Sequence, residues 1–176
     1  MIKEMTTPSE ENYLEWIYRF SQSGPVRPSD IADKLGVKRP SVSRAISSLV
    51  RKGMLKDGPR GRLELTLKGE EIGKAVVRRD KCLTALLVDV LGMPAEAADA
   101  EVHRLEHVLG DDVLRRMEIL ISFAKSSPAW LKRLRLRIDQ APPAAGDEEE
   151  GYRVGLTPIH SGLQQEKSTC GRPATD

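Results

Sequence analysis

Apolar positions near the start of the chain recur at helical spacing. Leu14, Ile17 and Tyr18 share one face of a helix if the segment is helical, and they predict a first helix over 10–23. Ser9 is the expected N-cap, because a serine side chain can accept a hydrogen bond from a free backbone N–H of the first turn. A Gly-Pro pair directly after the pattern ends the helix.

Two further helices are predicted before residue 53. Ser29 is expected to cap a short helix over 30–35, which stops at Gly36. Pro40 opens the next helix, over 40–52, and a glycine follows it directly. Proline in the first turn and glycine just past the end are the usual asymmetry of helix termini.

The next residues predict a β-hairpin. Two short strands over 54–57 and 62–66 flank the Gly-rich turn 58–61. The order helix, helix, turn, helix, hairpin is that of a winged helix-turn-helix, with a glycine in the turn between its last two helices.

The second half of the chain has no strand pattern and predicts a helical bundle. Helices are expected over 69–91, 94–109, 113–126 and 128–136, the last of them begun by Pro128. From residue 141 to 176 Pro, Gly and charge dominate without periodicity, and we expect disorder there. The predicted fold class is mainly α, with a winged helix-turn-helix domain over 1–68 and an all-helical domain over 69–140.

Composition agrees with helix packing and points away from membranes. Hydrophobic residues make up 39% of the 176 positions but aromatics only 4%, which favours a core of Leu, Ile, Val and Ala. No apolar run approaches the ~20 residues of a membrane span, and the N-terminus has no apolar signal core. Cys82 and Cys170 are isolated, so reduced thiols are expected. We expect a cytoplasmic protein with no membrane partner.

Basic charge concentrates on the third helix and the hairpin. The net charge is only +2, yet between 37 and 62 eight basic residues stand against Asp57. These basic residues are Lys38, Arg39, Arg44, Arg51, Lys52, Lys56, Arg60 and Arg62. Because a winged helix touches DNA with this helix and its wing, the pattern predicts a double-stranded DNA partner.

The third helix has an apolar back, formed by Val42, Ile46 and Leu49, and a polar front. A recognition helix in the major groove needs this division. The candidate DNA-contacting residues are Arg39, Ser41, Ser43, Arg44, Ser47, Arg51, Arg60 and Arg62. A solvated basic face, or a winged helix that binds protein, are the other interpretations of the same pattern.

The run His103-Arg104-Leu105-Glu106-His107 carries the metal chemistry. Positions three and four apart share a helix face, so His103, Glu106 and His107 are expected to point the same way. Imidazole with carboxylate suits Mn, Fe, Co, Ni or Zn. Further donors must come from elsewhere, and Asn12, Glu15 and Asp80 are the candidates. Each has an ordinary explanation too: Asp80 can pair with basic neighbours, and residues of a first turn are favoured by the helix dipole.

The same run also fits H-x-x-E-H, a zinc-peptidase pattern in which Glu106 is the general base. That enzyme hypothesis leaves the basic winged helix unexplained, and the rest of the chain resembles no peptidase. We therefore expect a regulator and no enzymatic activity.

Several segments together resemble the diphtheria-toxin-repressor family of metal-dependent transcriptional regulators, and within it the manganese transport regulators. The segments are 5–18, 29–32, 40–42, 65–69 and 105–107, and the resemblance runs from Met5 to about Gln140. The chain is too short for the SH3-like third domain of iron-type members, which favours the two-domain layout of the manganese type.

The resemblance implies metal ligands at Asn12, Glu15, Asp80, His103, Glu106 and His107. Three of them depart from the manganese-type pattern, which has aspartate, histidine and glutamate where this chain has Asn12, Asp80 and His103. The last two look like an exchange of imidazole and carboxylate between facing helices.

These observations predict a homodimeric repressor of metal-uptake genes that binds a palindromic operator when metal is bound. Mn(II) is the first expected metal and Fe(II) the second, with Zn(II) and Co(II) open. A winged-helix regulator whose site does not sense metal is the remaining non-enzymatic alternative.

Overall fold

The computed structural model describes residues 6–141, a mainly helical chain with one two-stranded sheet. The expected disordered segment, 141–176, lies outside the described residues except for Ala141. The elements are α1 Pro8–Ser21, α2 Pro28–Leu35, α3 Arg39–Arg51, β1 Leu55–Gly58, β2 Arg62–Leu65, α4 Leu67–Thr84, α5 Ala95–Leu105, α6 Asp111–Ser126 and α7 Pro128–Asp139. The predicted fold class is confirmed. No helix among the described residues has the length and apolar character needed to cross a membrane.

The first helices and the hairpin form a winged helix-turn-helix. Strands β1 and β2 pair antiparallel with Leu55 opposite Leu65, and Val26 adds a single bridge to Leu63. Between the strands the chain makes a tight turn in which Arg60 has a φ of 61°. The core beneath includes Leu14, Ile17, Val42 and Leu49, which the helical spacing placed inward and which are fully buried. Tyr18 and Ile46, predicted on the same inner faces, are half-buried.

Two predicted helix caps are wrong. The N-cap of α1 is Thr7, not Ser9, and it forms a capping box in which Glu10 accepts the Thr7 backbone N–H at 2.9 Å. The N-cap of α2 is Arg27, not Ser29, and its backbone N–H donates to the Asp30 carboxylate at 2.8 Å. In both cases a proline follows the cap directly and occupies N1, so the serine falls inside the first turn.

The predicted single helix over 69–91 is helical throughout but changes its winding. Regular α4 ends at Thr84, and residues Ala85–Val90 form a π-helical segment. The Leu91 N–H then reaches the Leu86 carbonyl, five residues back, at 2.9 Å. Such wide turns are rare and are not signalled by hydrophobic spacing.

Helices α1 and α4 pack with their backbones in close approach. A Cβ added at Gly73 would lie 2.8 Å from the Leu14 carbonyl oxygen and 2.7 Å from the Tyr18 Cβ. Glycine is therefore required by space and not by φ at this position. Leu14 and Tyr18 are the residues of α1 that lie against Gly73 of α4.

The remaining helices build a second apolar cluster. Cys82, Val90, Leu114, Ile121 and Ala124 are its buried members. The helix predicted over 94–109 is shorter than expected: α5 ends at Leu105, and Glu106 and His107 lie in the turn that follows. A helical backbone at Glu106, with φ −59° and ψ −31°, nevertheless continues the face of α5 for that residue.

Candidate metal centre and nucleic-acid interface

Helices α1, α4 and α5 converge on a polar cavity of about 530 Å³. Among the predicted metal-site residues, Asn12, Glu15, Asp80, His103 and Glu106 line it. His107 lies beside Glu106, with its Nε2 3.6 Å from Glu106 Oε1. The structure thus brings together six side chains that lie on three separate stretches of sequence.

Glu106 is the centre of this arrangement. It belongs to two groups of donor atoms that could each hold an ion, and within each group the atoms lie within 4.8 Å of one another. We call the group of His103, Glu106 and His107 the histidine cluster and the group of Glu15, Asp80 and Glu106 the carboxylate cluster. One oxygen, Glu106 Oε1, lies 3.1 Å from His103 Nδ1.

The environment of Glu106 fits a cation. Its side chain is only 3% exposed, and Oε2 is buried with no hydrogen-bond donor among the described residues. Burial, with the nearby charges of Glu15 and Asp80, raises the pKa of Glu106 to about 8. A buried carboxylate with a free oxygen is expensive unless a positive charge or proton satisfies it. Imidazole and carboxylate are donors that first-row divalent metals accept.

Two residues that the sequence analysis did not single out orient His107. The ring Nδ1 faces Glu11 Oε2 at 3.0 Å. A carboxylate accepts, so we assign the proton to Nδ1, which leaves on Nε2, the nitrogen that faces Glu106, a lone pair that can bind a metal ion. Arg79, itself buried, stands behind with its Nη1 3.8 Å from Glu11 Oε2. Such outer partners fix the ring and tautomer of a metal-binding histidine.

A further residue absent from the predictions is Arg19, one turn after Glu15 on α1. Its guanidinium donates to Glu15 Oε1 at 2.8 Å and also to Asp80 Oδ2. Burial raises the pKa of Glu15, and the arginine opposes that shift. Asp80 therefore has a basic partner, as its ordinary explanation requires. That partner is Arg19, 61 positions away, and not a neighbour in sequence.

Most of the predicted DNA-contacting residues are exposed, and they lie on α3 and on the wing. Ser41, Ser43, Arg44, Ser47 and Arg51 are all exposed on α3. Arg39 begins that helix, Arg60 lies in the turn of the wing, and Arg62 on β2 is half-buried. Within residues 6–141 none of these five arginines has an ion pair with a carboxylate.

Two other basic residues of the same stretch are engaged within the fold. Lys52 Nζ lies 2.6 Å from Glu10 Oε2, and Lys56 Nζ lies 3.0 Å from Glu64 Oε2. Ser48 also donates to Glu10, at 2.9 Å. The first turn of α1 is thereby tied to the end of α3, while the adjacent Glu11 holds His107.

An exposed apolar stripe runs along α6. Val113, Leu120 and Phe123 are exposed to 52%, 43% and 52%, and their spacing of seven and three residues puts them on one side of the helix. The opposite side, with Leu114 and Ile121, packs into the second core cluster. Contiguous exposed apolar side chains are typical of interaction surfaces, which makes this stripe a candidate.

Two family models match the chain in succession. The iron dependent repressor N-terminal DNA binding domain matches residues 5–63. The iron dependent repressor metal binding and dimerisation domain matches residues 66–134.

Individual sequences agree with these models. The iron-dependent repressor IdeR of Mycobacterium tuberculosis is 39% identical over 120 residues, which cover 67% of this chain and 52% of IdeR. The diphtheria toxin repressor of Corynebacterium glutamicum is 32% identical with the same coverage. An HTH-type transcriptional regulator of Methanocaldococcus jannaschii is 33% identical over 64% of this chain and 92% of its own length. The chain spans about half the length of the first two relatives.

Solved structures give the same picture. The manganese regulator SloR aligns with a TM-score of 0.59 at 25% identity, over 67% of this chain and 55% of SloR. The IdeR of T. acidophilum aligns with a TM-score of 0.54 at 30% identity, over 61% and 51%. A manganese-dependent transcriptional repressor in complex with manganese aligns with a TM-score of 0.58 at 27% identity, over 65% and 53%.

Proposed function

Because the chain belongs to the iron-dependent repressor family, that of the diphtheria toxin repressor, we propose that it is a DNA-binding transcriptional repressor activated by a divalent transition metal. One observation carries the proposal. Two adjacent residues in the first turn of α1 connect the candidate metal centre to the DNA-binding helix. Glu10 binds Ser48 of α3 and Lys52 at its end, while Glu11 binds His107 of the histidine cluster.

The metal is held by residues of the cavity shared by α1, α4 and α5. Glu106, His103 and His107 are the central donors, with Asn12, Glu15 and Asp80 on the α1–α4 side. Mn(II) is the first expected ion and Fe(II) the second, with Zn(II) and Co(II) also suited to this donor set. When bound, the ion supplies positive charge that offsets the carboxylates.

The chain's own residues transmit that change to the DNA-binding surface. Glu11 and Glu15 lie on α1, where they face Arg79 and Asp80 of α4 and His107 in the turn after α5. Without metal, the carboxylate of Glu106 has no cation, and the contact between Glu11 of α1 and His107 is loosely defined. Metal bound beside His107 fixes that contact and the start of α1, and Glu10 fixes the end of α3 with it. This is a shift of population toward one DNA-competent arrangement.

The wing and α3 read the operator. We assign the major-groove contacts to Arg39, Ser41, Ser43, Arg44 and Ser47, and backbone contacts to Arg51, Arg60 and Arg62. We place this DNA-binding part in residues 1–68 and the metal-binding and dimerisation part in 69–140. A repressor acts where its operator lies, and we place the protein in the cytoplasm.

The peptidase interpretation of the His103–His107 run receives no support from the geometry. A general base needs access to the water that it activates. Glu106 is instead buried at the centre of the cluster, between imidazoles and other carboxylates.

We expect specific DNA binding to rise with added metal and to fall with chelator. The experiment is an anisotropy titration of the full chain against a palindromic operator with Mn(II), Fe(II), Co(II) and Zn(II) in parallel. Arg44→Ala should weaken operator binding, with about 1–3 kcal/mol lost if Arg44 reads a base, and leave Mn(II) affinity unchanged. Arg137→Ala on α7 is the matched control and should change neither. Tight, specific binding that ignores chelator contradicts the proposal.

The exposed stripe on α6 is proposed as the homodimer interface. It lies within residues 66–134, the part matched by the dimerisation model, and pairing two copies would bury Val113, Leu120 and Phe123. A palindromic operator requires such a dimer, with two recognition helices about one DNA turn apart.

Leu120→Glu together with Phe123→Glu should therefore yield a monomer. Charged side chains facing each other across a twofold interface repel and lose the apolar burial. Sedimentation equilibrium measures the mass. Ser122→Glu, exposed on another side of α6, should leave the dimer intact. A double variant that sediments as a dimer would exclude this face.

A further inference from the structure

The positively charged guanidinium of Arg19 lies in the carboxylate cluster. Its Nε donates to Glu15 Oε1 at 2.8 Å, its Nη2 lies 2.7 Å from the same oxygen, and Nη2 also binds Asp80 Oδ2. The guanidinium therefore bridges α1 and α4 at the point where two carboxylates converge. Arg19 is only partly exposed, with 28% of its side chain accessible.

Arg19 binds one oxygen of each of two carboxylates that a metal ion at this cluster would bind, Glu15 Oε1 and Asp80 Oδ2. Glu15 and Asp80 supply two of the three carboxylates of the cluster, and Glu106 supplies the third. A guanidinium offers fixed N–H donors and a permanent positive charge to such oxygens. A divalent cation on the same two carboxylates would lie close to the guanidinium, and the two positive charges would repel strongly in a partly buried site.

The surroundings hold Arg19 in this place. Its guanidinium carbon lies 5.2 Å from the centre of the Trp16 ring, within the range of a cation–π contact. Lys34 Nζ lies 4.0 Å from the same ring and lines the same cavity. Two side-chain cations thus border the carboxylate half of the cavity.

The histidine cluster has a different character. Two of its donors, His103 and His107, are imidazole nitrogens. The buried arginine near them, Arg79, pairs with Glu11 and Asp111 and not with a residue of the cluster. Within the described residues no arginine or lysine donates to Glu106. This half of the site remains available to an ion.

We infer that Arg19 replaces a second metal ion, so that each protomer binds one divalent ion, at the histidine cluster. The inference rests on the proposed metal-sensing function and deepens it. Arg19 holds Glu15 of α1 against Asp80 of α4 in every state, and only the histidine cluster responds to metal. The metal-sensing response of the chain then follows a single binding event per protomer.

The test is the number of Mn(II) ions bound by the full chain at saturation. Equilibrium dialysis followed by elemental analysis should give one ion per chain for the wild type. Arg19→Met removes the charge while keeping a long apolar stem, and it should give two ions per chain. Arg19→Lys keeps the positive charge and should stay at one.

Arg78→Met is the matched control. Arg78 is an exposed arginine of α4 that makes its own two-point ion pair with Glu118 of α6. Removing it should leave the count at one, because no predicted metal ligand contacts it. A count that rises in both arginine variants would show a nonspecific charge effect and overturn the inference.

Thermal unfolding of the metal-free proteins supplies a second readout. Without Arg19 the carboxylates of Glu15 and Asp80 face each other unopposed, so Arg19→Met should melt lower than the wild type in chelator and gain more from Mn(II). Two ions per chain in the wild type, or one in Arg19→Met, would overturn the inference that Arg19 replaces a second ion. Either result would leave the proposed metal sensing intact. No ion in any of the proteins would instead contradict the proposed function itself.

Discussion

Glu106→Gln is expected to abolish metal-dependent operator binding. Glu106 is common to both clusters, and its Oε2 is buried without a donor among the described residues. The amide keeps the shape of the side chain but loses the negative charge that a divalent ion requires. Loss of outer partners alone weakens metal sites by about 10–100-fold, so removing a central ligand should weaken Mn(II) binding by more than about 100-fold.

Isothermal titration with Mn(II), followed by operator binding at saturating metal, measures both effects. Glu101→Gln is the matched control, since Glu101 lies on α5, pairs with exposed Arg104 and is not part of either cluster. It should bind metal and DNA as the wild type does. Wild-type Mn(II) affinity in Glu106→Gln would remove this carboxylate from the metal centre.

The same substitution should change how stability depends on pH in the metal-free protein. The pKa of Glu106 is about 8 in the folded chain, because of burial and the charges of Glu15 and Asp80. An unfolded glutamate has a pKa of about 4.3. Between these values the folded state holds a proton that the unfolded state has released. The free energy of unfolding therefore decreases as pH rises through this window, because the stabilising contribution of protonated Glu106 is lost. The decrease is at most about 1.4 kcal/mol per pH unit, and it ends above about pH 8.

Glu106→Gln lacks this titration, so its stability should exceed that of the wild type by a margin that grows between about pH 5 and 8. Urea unfolding in chelator across that range measures the margin. Parallel stability curves for the two proteins would mean that Glu106 is ionised in the folded, metal-free chain.

The sequence determines much of this fold because its signals are local. The spacing of Leu14, Ile17, Val42 and Leu49 identified the inner faces of α1 and α3, and all four are fully buried. The misplaced caps had a local signal too. Thr7 and Glu10 stand three apart, the spacing of a capping box, with proline at N1 between them.

The spacing of residues along the sequence predicts only part of the candidate metal centre. His103, Glu106 and His107 lie within five residues, so their proximity follows from helical geometry even though α5 ends before the last two. The residue that orients His107 and the residue that occupies the carboxylate cluster are distant in sequence. Glu11 is 96 residues from His107, and Arg19 is 61 residues from Asp80. Charged residues on a helix surface do not reveal which distant element they face. Only the tertiary packing of α1 against α4 and the turn after α5 determines those pairs.

That packing is tested by Gly73→Ala, the second large expected effect. The new Cβ would lie 2.8 Å from the Leu14 carbonyl oxygen and 2.7 Å from the Tyr18 Cβ, both on α1. A carbonyl oxygen in a helix cannot turn aside, so α1 must move away from α4. Alanine favours helix over glycine by about 1 kcal/mol, yet overpacking of this kind costs about 1–3 kcal/mol or more, and we expect a net loss of stability.

The displacement should also weaken metal binding, which distinguishes it from a purely local defect. Glu11 and Glu15 flank Leu14 on the same helix, so moving α1 separates Glu11 from His107 and Glu15 from Asp80. We expect Mn(II) affinity to fall by about 10-fold or more, as for the loss of an orienting partner. Gly110→Ala is the control, because no atom lies within 4 Å of its added Cβ and its φ is −85°. It should shift stability by less than about 1 kcal/mol and leave metal affinity unchanged. A Gly73→Ala protein that loses stability but keeps its Mn(II) affinity would show that the position of α1 does not control the metal centre.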